Sequence, residues 1–327
     1  MKNFINKSLR STRDKFFKAA LTHLDKRIDV IERTQVATRD TVNSIYRKQI
    51  NSGIIQLSEK EILTKIFTGL KMYLDPRDLS VATHIALDGV WEEPITKAWI
   101  SLINENDTVL DIGANFGYFG LLAAQFTSKK NSKVVMFEAN PEIVPYVKKS
   151  LKTNWFNEQA KIENFAISDK EGTLTLNVLE GYIGSSSVQT MEQLDSYMSK
   201  KMQLNLHKSI KVPAISIDQY CKVNKIKSLN LIKMDIEGSE EMAYKGMRQM
   251  IKVSPNVSMF IEFTSEAYSD PRGFYSQMLE DFGSVYLIDN DGSLLKPSNT
   301  TYEYIVAQSD DWVMPVFSKN SSLHIKK

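Results

Sequence analysis

Beyond about residue 106 the chain alternates short apolar runs with amphipathic ones, the rhythm of a sheet covered by helices. Val109 to Ile112 predicts a strand and Tyr118 to Phe126 a helix; Lys133 to Phe137 is the next strand, and Glu142 to Asn154 the next helix. Lys161 to Ile167 and Thr173 to Val178 predict further strands, and Val212 to Ile217 resumes extended structure. Asp218 to Val223 reads as a short helix, Leu231 and Ile232 as a buried strand, and Met242 to Ile251 as another helix. Between them, Glu180 to Lys211 is long for a plain connection and predicts either a lid over a site or a surface loop. Residues 51–106 form a mixed lead-in: short strands at Ile54 to Leu57 and Lys71 to Leu74, a turn at Asp75 to Asp78, and a helix opened by Trp91-Glu92-Glu93-Pro94.

The N-terminal segment keeps a different period. Phe17, Leu21, Leu24, Ile28, Ile31, Gln35, Thr38, Val42 and Ile45 are spaced alternately by four and three residues, a heptad seam. The polar Gln35/Thr38 layer lowers stability but fixes register, and Ile at both core positions favours three or more strands. The run Arg27 to Glu32 is similar to the Arg-h-x-x-h-Glu pattern of short three-stranded coiled coils. A homo-oligomer through residues 17–45, trimer ahead of dimer, is therefore expected; a single amphipathic helix packed on its own domain is the alternative. Residues 1–50 hold twelve Lys or Arg and five Asp or Glu, so this segment is basic and the rest of the chain acidic. With Phe4, Ile5, Leu9, Phe16 and Phe17 among the basic residues, a peripheral membrane contact is a further expectation.

Composition narrows the class little. Hydrophobic residues at 42% and charged residues at 24% are ordinary for a globular chain. No apolar run is long enough to span a membrane, and no signal-peptide core is visible. The single Cys221 excludes an intramolecular disulfide framework and a cysteine-cluster zinc site, so a cytoplasmic setting is the simplest fit. A net charge of +2, with an acidic main body, gives no argument for nucleic acid.

The chemistry concentrates at strand ends. Thr108 to Gly120 reads as strand, glycine turn and helix, but Gly113, Gly117 and Gly120 miss the Gly-x-Gly-x-x-Gly spacing of a dinucleotide turn. Asp111, just before the first glycine, would repel a pyrophosphate and attract a sulfonium cofactor with an amino-acid tail, pointing to S-adenosylmethionine rather than NAD. Glu138 follows the next strand, where a carboxylate can accept from both hydroxyls of a ribose. Lys233, Asp235 and Glu237 alternate at the end of a third strand, which sends them to one face if that strand stays extended; a plain Lys–Asp ion pair is the bland alternative. Of the histidines, His84 and His207 are candidates for a site but are better explained as structural or exposed. No metal site is assigned.

These segments together resemble the FkbM family of S-adenosylmethionine-dependent methyltransferases. The resemblance rests on Asp111-Ile-Gly-Ala-Asn-Phe-Gly117, Phe137-Glu-Ala-Asn-Pro141, Asn164-Phe-Ala-Ile-Ser-Asp169, Ile232-Lys-Met-Asp-Ile-Glu-Gly238, Phe260-Ile-Glu262 and the upstream Trp91-Glu-Glu-Pro94, in order over about Lys71 to Gln308. It implies an α/β class I methyltransferase fold, a Rossmann-like seven-stranded sheet with helices on both faces and its last strand antiparallel. Val285 to Ile288 and Tyr302 to Ala307 would supply the final pair. The expected organisation is residues 1–50 as oligomerisation segment, 51–106 as lead-in, 107–318 as methyltransferase domain and 319–327 as tail.

By position, the resemblance implies that Asp111, Gly113, Asn115 and Gly117 surround the methionine part of the cofactor, that Glu138 holds the ribose, and that Phe165 and Ala166 border the adenine. Glu93 is a further cofactor candidate, in a register that the doubled Glu92-Glu93 leaves open. Asp235 and Glu237 are the carboxylates expected to take a proton from the acceptor, with Lys233 orienting them or it. The expected activity is O-methylation of a sugar hydroxyl in a surface glycan or glycoconjugate. A small-molecule acceptor is the alternative within the enzyme class, and a non-catalytic glycan-binding scaffold on the same fold the alternative outside it.

Overall fold

The computed structural model describes residues 53–127, 131–179, 181–189, 206–307 and 313–323. The heptad segment, the basic N-terminus and most of the second half of the long 180–211 connection lie outside the described residues, and so do the oligomer and membrane contacts expected of them.

The centre is a mostly parallel sheet. Its spatial order is Leu294–Leu295, Ser284–Ile288, Val316–Ser318, Ser258–Ile261, Leu231–Met234, Thr108–Ile112, Lys133–Phe137 and Ala160–Glu163. Val316–Ser318 is antiparallel to both its neighbours, and the strands from Ser258–Ile261 to Ala160–Glu163 are parallel. This is the expected seven-stranded class I layout with one two-residue strand added at its edge. The order reverses beside Thr108–Ile112, which places a crevice at the carboxyl ends of the central strands.

The strands are apolar on both faces because both faces are covered. Leu110, Ile112, Ile232 and Met234 enter one core, and Val109, Leu231 and Phe260 the other. Burying each such side chain contributes roughly 1.5–3 kcal/mol. Asp111 and Lys233 interrupt the pattern on the Val109 side, where Tyr118–Phe126 packs.

Four expectations need correcting. Tyr302–Val306 is a short helix, whose Ile305 is buried and whose Tyr302 meets Phe263 and Tyr275; the final strand is Val316–Ser318. Lys161 to Ile167 is not one strand: Ala160–Glu163 closes the central sheet, and Ala166–Ile167 turns away to join a second, four-stranded sheet. The helix expected over Met242 to Ile251 is two, Glu240–Lys245 and Arg248–Val253, parted at Gly246. A Cβ at Gly246 would meet Ser216 and the Ser168 carbonyl, so close packing there requires glycine. Finally, the start of the long connection is the strand Tyr182–Ser187, the edge of that second sheet.

The lead-in builds a three-stranded antiparallel sheet, Ile55–Ser58, Glu61–Lys65 and Lys71–Leu74. Its last strand bonds to the Val144–Thr153 helix, Tyr73 N–H donating to Ser150 Oγ at 3.0 Å. Asp78, fully buried, then starts the Val81–Asp88 helix by accepting from Ala82 N–H at 2.9 Å. No helix among the described residues is long and apolar enough to cross a membrane.

Candidate functional site

Strand register assembles the site. Lys233 is paired with Asp111 on one side and Phe260 on the other. Two residues further along the three chains come Asp235, Gly113 and Glu262, all at the carboxyl edge and all lining one cavity of about 490 Å³. Gly113 has φ +77°, and a Cβ there would collide with the Asp235 carbonyl oxygen, so only glycine lets the two chain ends lie this close.

Glu138 forms a second corner. Its Oε1 accepts from Asn140 N–H at 2.7 Å and its Oε2 from Asn115 N–H at 2.8 Å. Asn115 takes a left-handed backbone, φ 52°, to present that N–H. Burial raises the Glu138 carboxyl to about 7, against the pull of those two bonds. Phe165, Ala166 and Ile167 form an apolar wall beside it.

The third corner is a buried charge cluster. Lys233, its side chain 3% exposed, donates from Nζ to Asp235 Oδ2 at 2.7 Å and lies 4.6 Å from the centre of the Phe119 ring. Burial works to lower its pKa, but Asp235, Glu92 and Asp111 outweigh that and raise it, so it stays charged. Burial pushes Glu92 up to about 7, opposed by Lys233 and assisted by Asp235. Glu262 is raised well above the usual range, by burial first and then by Asp235, Glu237 and Glu240. Glu240 stands behind the wall, bonded to Ile236 N–H at 2.8 Å and to the Tyr268 hydroxyl at 3.1 Å.

The fourth side is closed by the Tyr182–Ser187 strand and the residues after it. Gly184 N–H donates to Asp78 Oδ2 at 2.9 Å, Asn140 Nδ2 to the Ile183 carbonyl at 3.2 Å, and Ser187 Oγ to the Glu237 carbonyl at 2.8 Å. Gln189 Nε2 donates to the Gly238 carbonyl. The segment therefore ties the lead-in, the Glu138 corner and the Glu237–Gly238 turn together, with Tyr182, Gly184, Ser186 and Val188 facing the cavity.

Of the residues selected from sequence, Gly113, Asn115, Glu138, Phe165, Ala166, Lys233, Asp235 and Glu237 all line this cavity. Glu237 does so from a left-handed turn, φ 55°, rather than from an extended strand. Asp111 and Gly117 stand behind the wall. Asp111 is buried, accepts from Gly120 N–H at 2.7 Å, and is raised to about 6 by burial, which Lys233 opposes. Gly117 starts the Tyr118–Phe126 helix against Val147. Glu93 is a correction: it pairs with Lys97 at 3.0 Å on the outer side of its helix and does not line the cavity. Glu92 takes its place, from a left-handed backbone of φ 44°, with Oε2 buried and without a hydrogen-bond partner. The i,i+4 spacing of Glu93 and Lys97 was the signal that turns Glu93 outward. Glu262 was also missed; its place two residues after a buried strand residue, beside the Lys233 strand, was the available cue. His84 is exposed, 3.4 Å from Asp88, and lies outside the cavity lining.

The family model of the methyltransferase FkbM domain matches residues 111–288, more than half of the chain. A methyltransferase FkbM from Methylobacillus flagellatus KT aligns at 13% identity, over 67% of this chain and 47% of its own, with a TM-score of 0.41. The present chain thus spans about half of that protein's length. TYW2 of P. horikoshii, in complex with MeSAdo, aligns at 10% identity over 80% of this chain and 73% of its own, with a TM-score of 0.40. No curated protein matches in sequence.

Proposed function

This chain belongs to the methyltransferase FkbM family, and from that premise we propose that it transfers a methyl group from S-adenosylmethionine to a hydroxyl of a sugar in a surface glycan or glycoconjugate. The observation that carries the cofactor reading is Glu138. Two backbone N–H groups hold its carboxylate at the cavity wall, each oxygen keeping lone-pair capacity for a ribose hydroxyl.

The other residues suit the same group. Phe165 and Ala166 would flank the adenine; Gly113 and Asn115 would border the methionine part. The unpartnered Oε2 of Glu92 is an acceptor awaiting a cationic donor, and an α-ammonium is one. Asp111 would act from behind the wall, by holding Gly120 N–H and the charge of Lys233 rather than by touching the cofactor.

When bound, S-adenosylmethionine supplies a methyl group on a sulfonium, open to in-line displacement. What the chain adds is placement and a proton acceptor. Asp235, oriented by Lys233, and Glu237 beside it face the cavity where an acceptor hydroxyl would lose its proton. The resemblance of the motifs is what supports a sugar as acceptor. We assign homo-oligomerisation, trimer ahead of dimer, to residues 17–45, and to the basic N-terminus a peripheral membrane contact on the cytoplasmic side.

Calorimetric titration with S-adenosylhomocysteine, on the wild type and on Glu138→Ala, tests the cofactor site. Micromolar binding that the substitution weakens supports it, and a folded wild type that does not bind removes it. Light scattering of the full chain against Leu24→Lys/Ile31→Lys tests the oligomer; an unchanged mass removes that assignment.

A further inference from the structure

Behind the cavity wall lies a titratable group that the methyl-transfer reading leaves without a role. Glu240 is fully buried, and its Oε1 accepts from Ile236 N–H at 2.8 Å and from Gly238 N–H at 3.4 Å. Those two amides bracket Glu237, which with Gly238 takes consecutive left-handed torsions, φ 55° and 91°. A turn of this shape persists only where its surroundings hold it. Its other side presents Asp235, Ile236 and Glu237 to the cavity, and the Asp235 carbonyl lies against Gly113. Glu240 thus grips from behind the turn that carries the expected proton acceptors.

Its second oxygen sets a count of protons. The Tyr268 hydroxyl stands 3.1 Å from Glu240 Oε2 and 3.0 Å from the Glu262 carbonyl, and it has one proton for the two. If that proton goes to the carbonyl, Glu240 must carry its own and donate it to the Tyr268 oxygen, which also accepts from Thr264 N–H at 3.4 Å. Each of these polar atoms then has a partner. An ionised Glu240 would instead draw the Tyr268 proton away from the carbonyl and set a buried charge beside Asp235 and Glu262. Its hydrogen-bond partners among the described residues are neutral N–H and O–H groups, and Lys233 is engaged by Asp235. Burial raises the Glu240 carboxyl to about 7, with Asp235 adding to the rise and the backbone N–H groups and Tyr268 opposing it. We infer that Glu240 is a positioning residue acting as a neutral acid: it donates to Tyr268, Tyr268 donates to the Glu262 carbonyl, and this relay fixes the Asp235–Gly238 turn at the cavity wall. The part it plays in methyl transfer rests on the reading above; its protonation does not.

The test uses the full-length protein and three substitutions. Glu240→Gln reproduces the neutral acid, since its amide oxygen accepts from Ile236 N–H and its amide N–H donates to Tyr268. Glu240→Leu does neither, and Tyr268→Phe removes the hydroxyl between Glu240 and Glu262. In infrared difference spectra at pH 6, Glu240→Gln should lose a carboxylic-acid C=O band that the wild type shows; no lost band overturns the neutral acid. A folded-state value raised above the unfolded one adds stability at low pH that is lost as pH passes about 7. The urea midpoint should therefore fall less between pH 5 and pH 8 in Glu240→Gln than in the wild type, and equal falls also overturn it. With S-adenosylhomocysteine in the calorimeter at pH 6, Glu240→Gln should bind within about threefold of the wild type. Glu240→Leu and Tyr268→Phe leave buried partners unbonded and should bind about tenfold or more weakly. Circular dichroism first checks that each variant folds; if Glu240→Leu does not, Tyr268→Phe decides. A Gln variant as weak as these means that Glu240 acts through its charge, and unchanged affinity in Leu and Phe means that the turn needs no such hold; either overturns the inference. A wild type that does not bind sinks the cofactor reading and the positioning role with it, while the infrared result still decides the protonation of Glu240.

Discussion

Lys233 stands in register with Asp111 on the neighbouring parallel strand, and both side chains enter the same face of the sheet. One buried ammonium thus holds Asp111 from the side, Asp235 through a 2.7 Å bond and Glu92 through space. Removing it strands three carboxylates. Lys233→Met is expected to lower stability by roughly 3–5 kcal/mol at pH 8, the usual penalty for orphaning a buried charge. The loss should shrink at pH 5, where Glu92 and Asp111 can take protons instead. Urea denaturation at both pH values checks this; equal losses would show that packing rather than charge explains the effect.

The raised carboxylates give the unliganded protein a particular pH dependence. Glu92, Glu138 and Glu240 titrate near 7 in the folded state and Asp111 near 6, in each case chiefly through burial, against ordinary values of 4.5 and 3.8. Between those limits the folded state binds more protons than the unfolded one. Stability therefore falls as pH rises from about 4 to about 7, then levels off as these groups ionise in both states. Asp281, where burial is outweighed by its bonds to Arg248 and Tyr244, acts in the opposite sense and only below about 4. A denaturation midpoint higher at pH 8 than at pH 5 would contradict this. Since ribose hydroxyls favour ionised Glu138, S-adenosylhomocysteine binding near pH 6.5 should also release protons, seen as a buffer-dependent enthalpy.

Two glycines separate backbone constraint from sequence pattern. Gly113→Ala would force a Cβ onto the Asp235 carbonyl at a positive φ, and we expect either no soluble protein or a loss of more than about 3 kcal/mol. Gly172→Ala meets nothing within 4 Å and should change stability by less than about 1 kcal/mol. Thermal melts of the pair decide; similar shifts in both would mean that the Gly113 approach is not the constraint.

The adjacent glutamates should behave oppositely. Glu92→Gln removes the charge facing the cavity and is expected to weaken S-adenosylhomocysteine about ten- to a hundredfold, the worth of a charge-assisted bond. Glu93→Gln weakens a partly exposed pair with Lys97, worth roughly 0.3–0.5 kcal/mol, outside the cavity lining, and should leave affinity unchanged. Calorimetry on both variants is sufficient. A larger effect at Glu93 would restore the register first expected.

Much of the parallel sheet was legible because strands buried on both faces are largely apolar, and Val109 to Ile112, Lys133 to Phe137 and the pair Leu231 and Ile232 stand out as such, Asp111 and Lys233 being the polar interruptions that mark the site. Tyr302–Val306 was misread because Tyr302, Ile305 and Val306 satisfy a short helix as well as a strand, and only the slot between Ser258–Ile261 and Ser284–Ile288 shows that Val316–Ser318 fills it. The Tyr182–Ser187 wall carried no local signal of its place, since its partners Asp78, Asn140 and Glu237 are distant in sequence.

The sequence by itself determined which side chains come to the carboxyl edge. Strand period and glycine turns are local, so Gly113, Glu138, Lys233 and Asp235 follow from spacing alone. Tertiary structure decided which of them face the cavity and which stand behind it. Asp111 and Glu93 withdraw, while Glu92 and Glu262 come forward. That choice depends on backbone torsions at a helix start and on cross-strand register, which arise only when distant segments pack against one another.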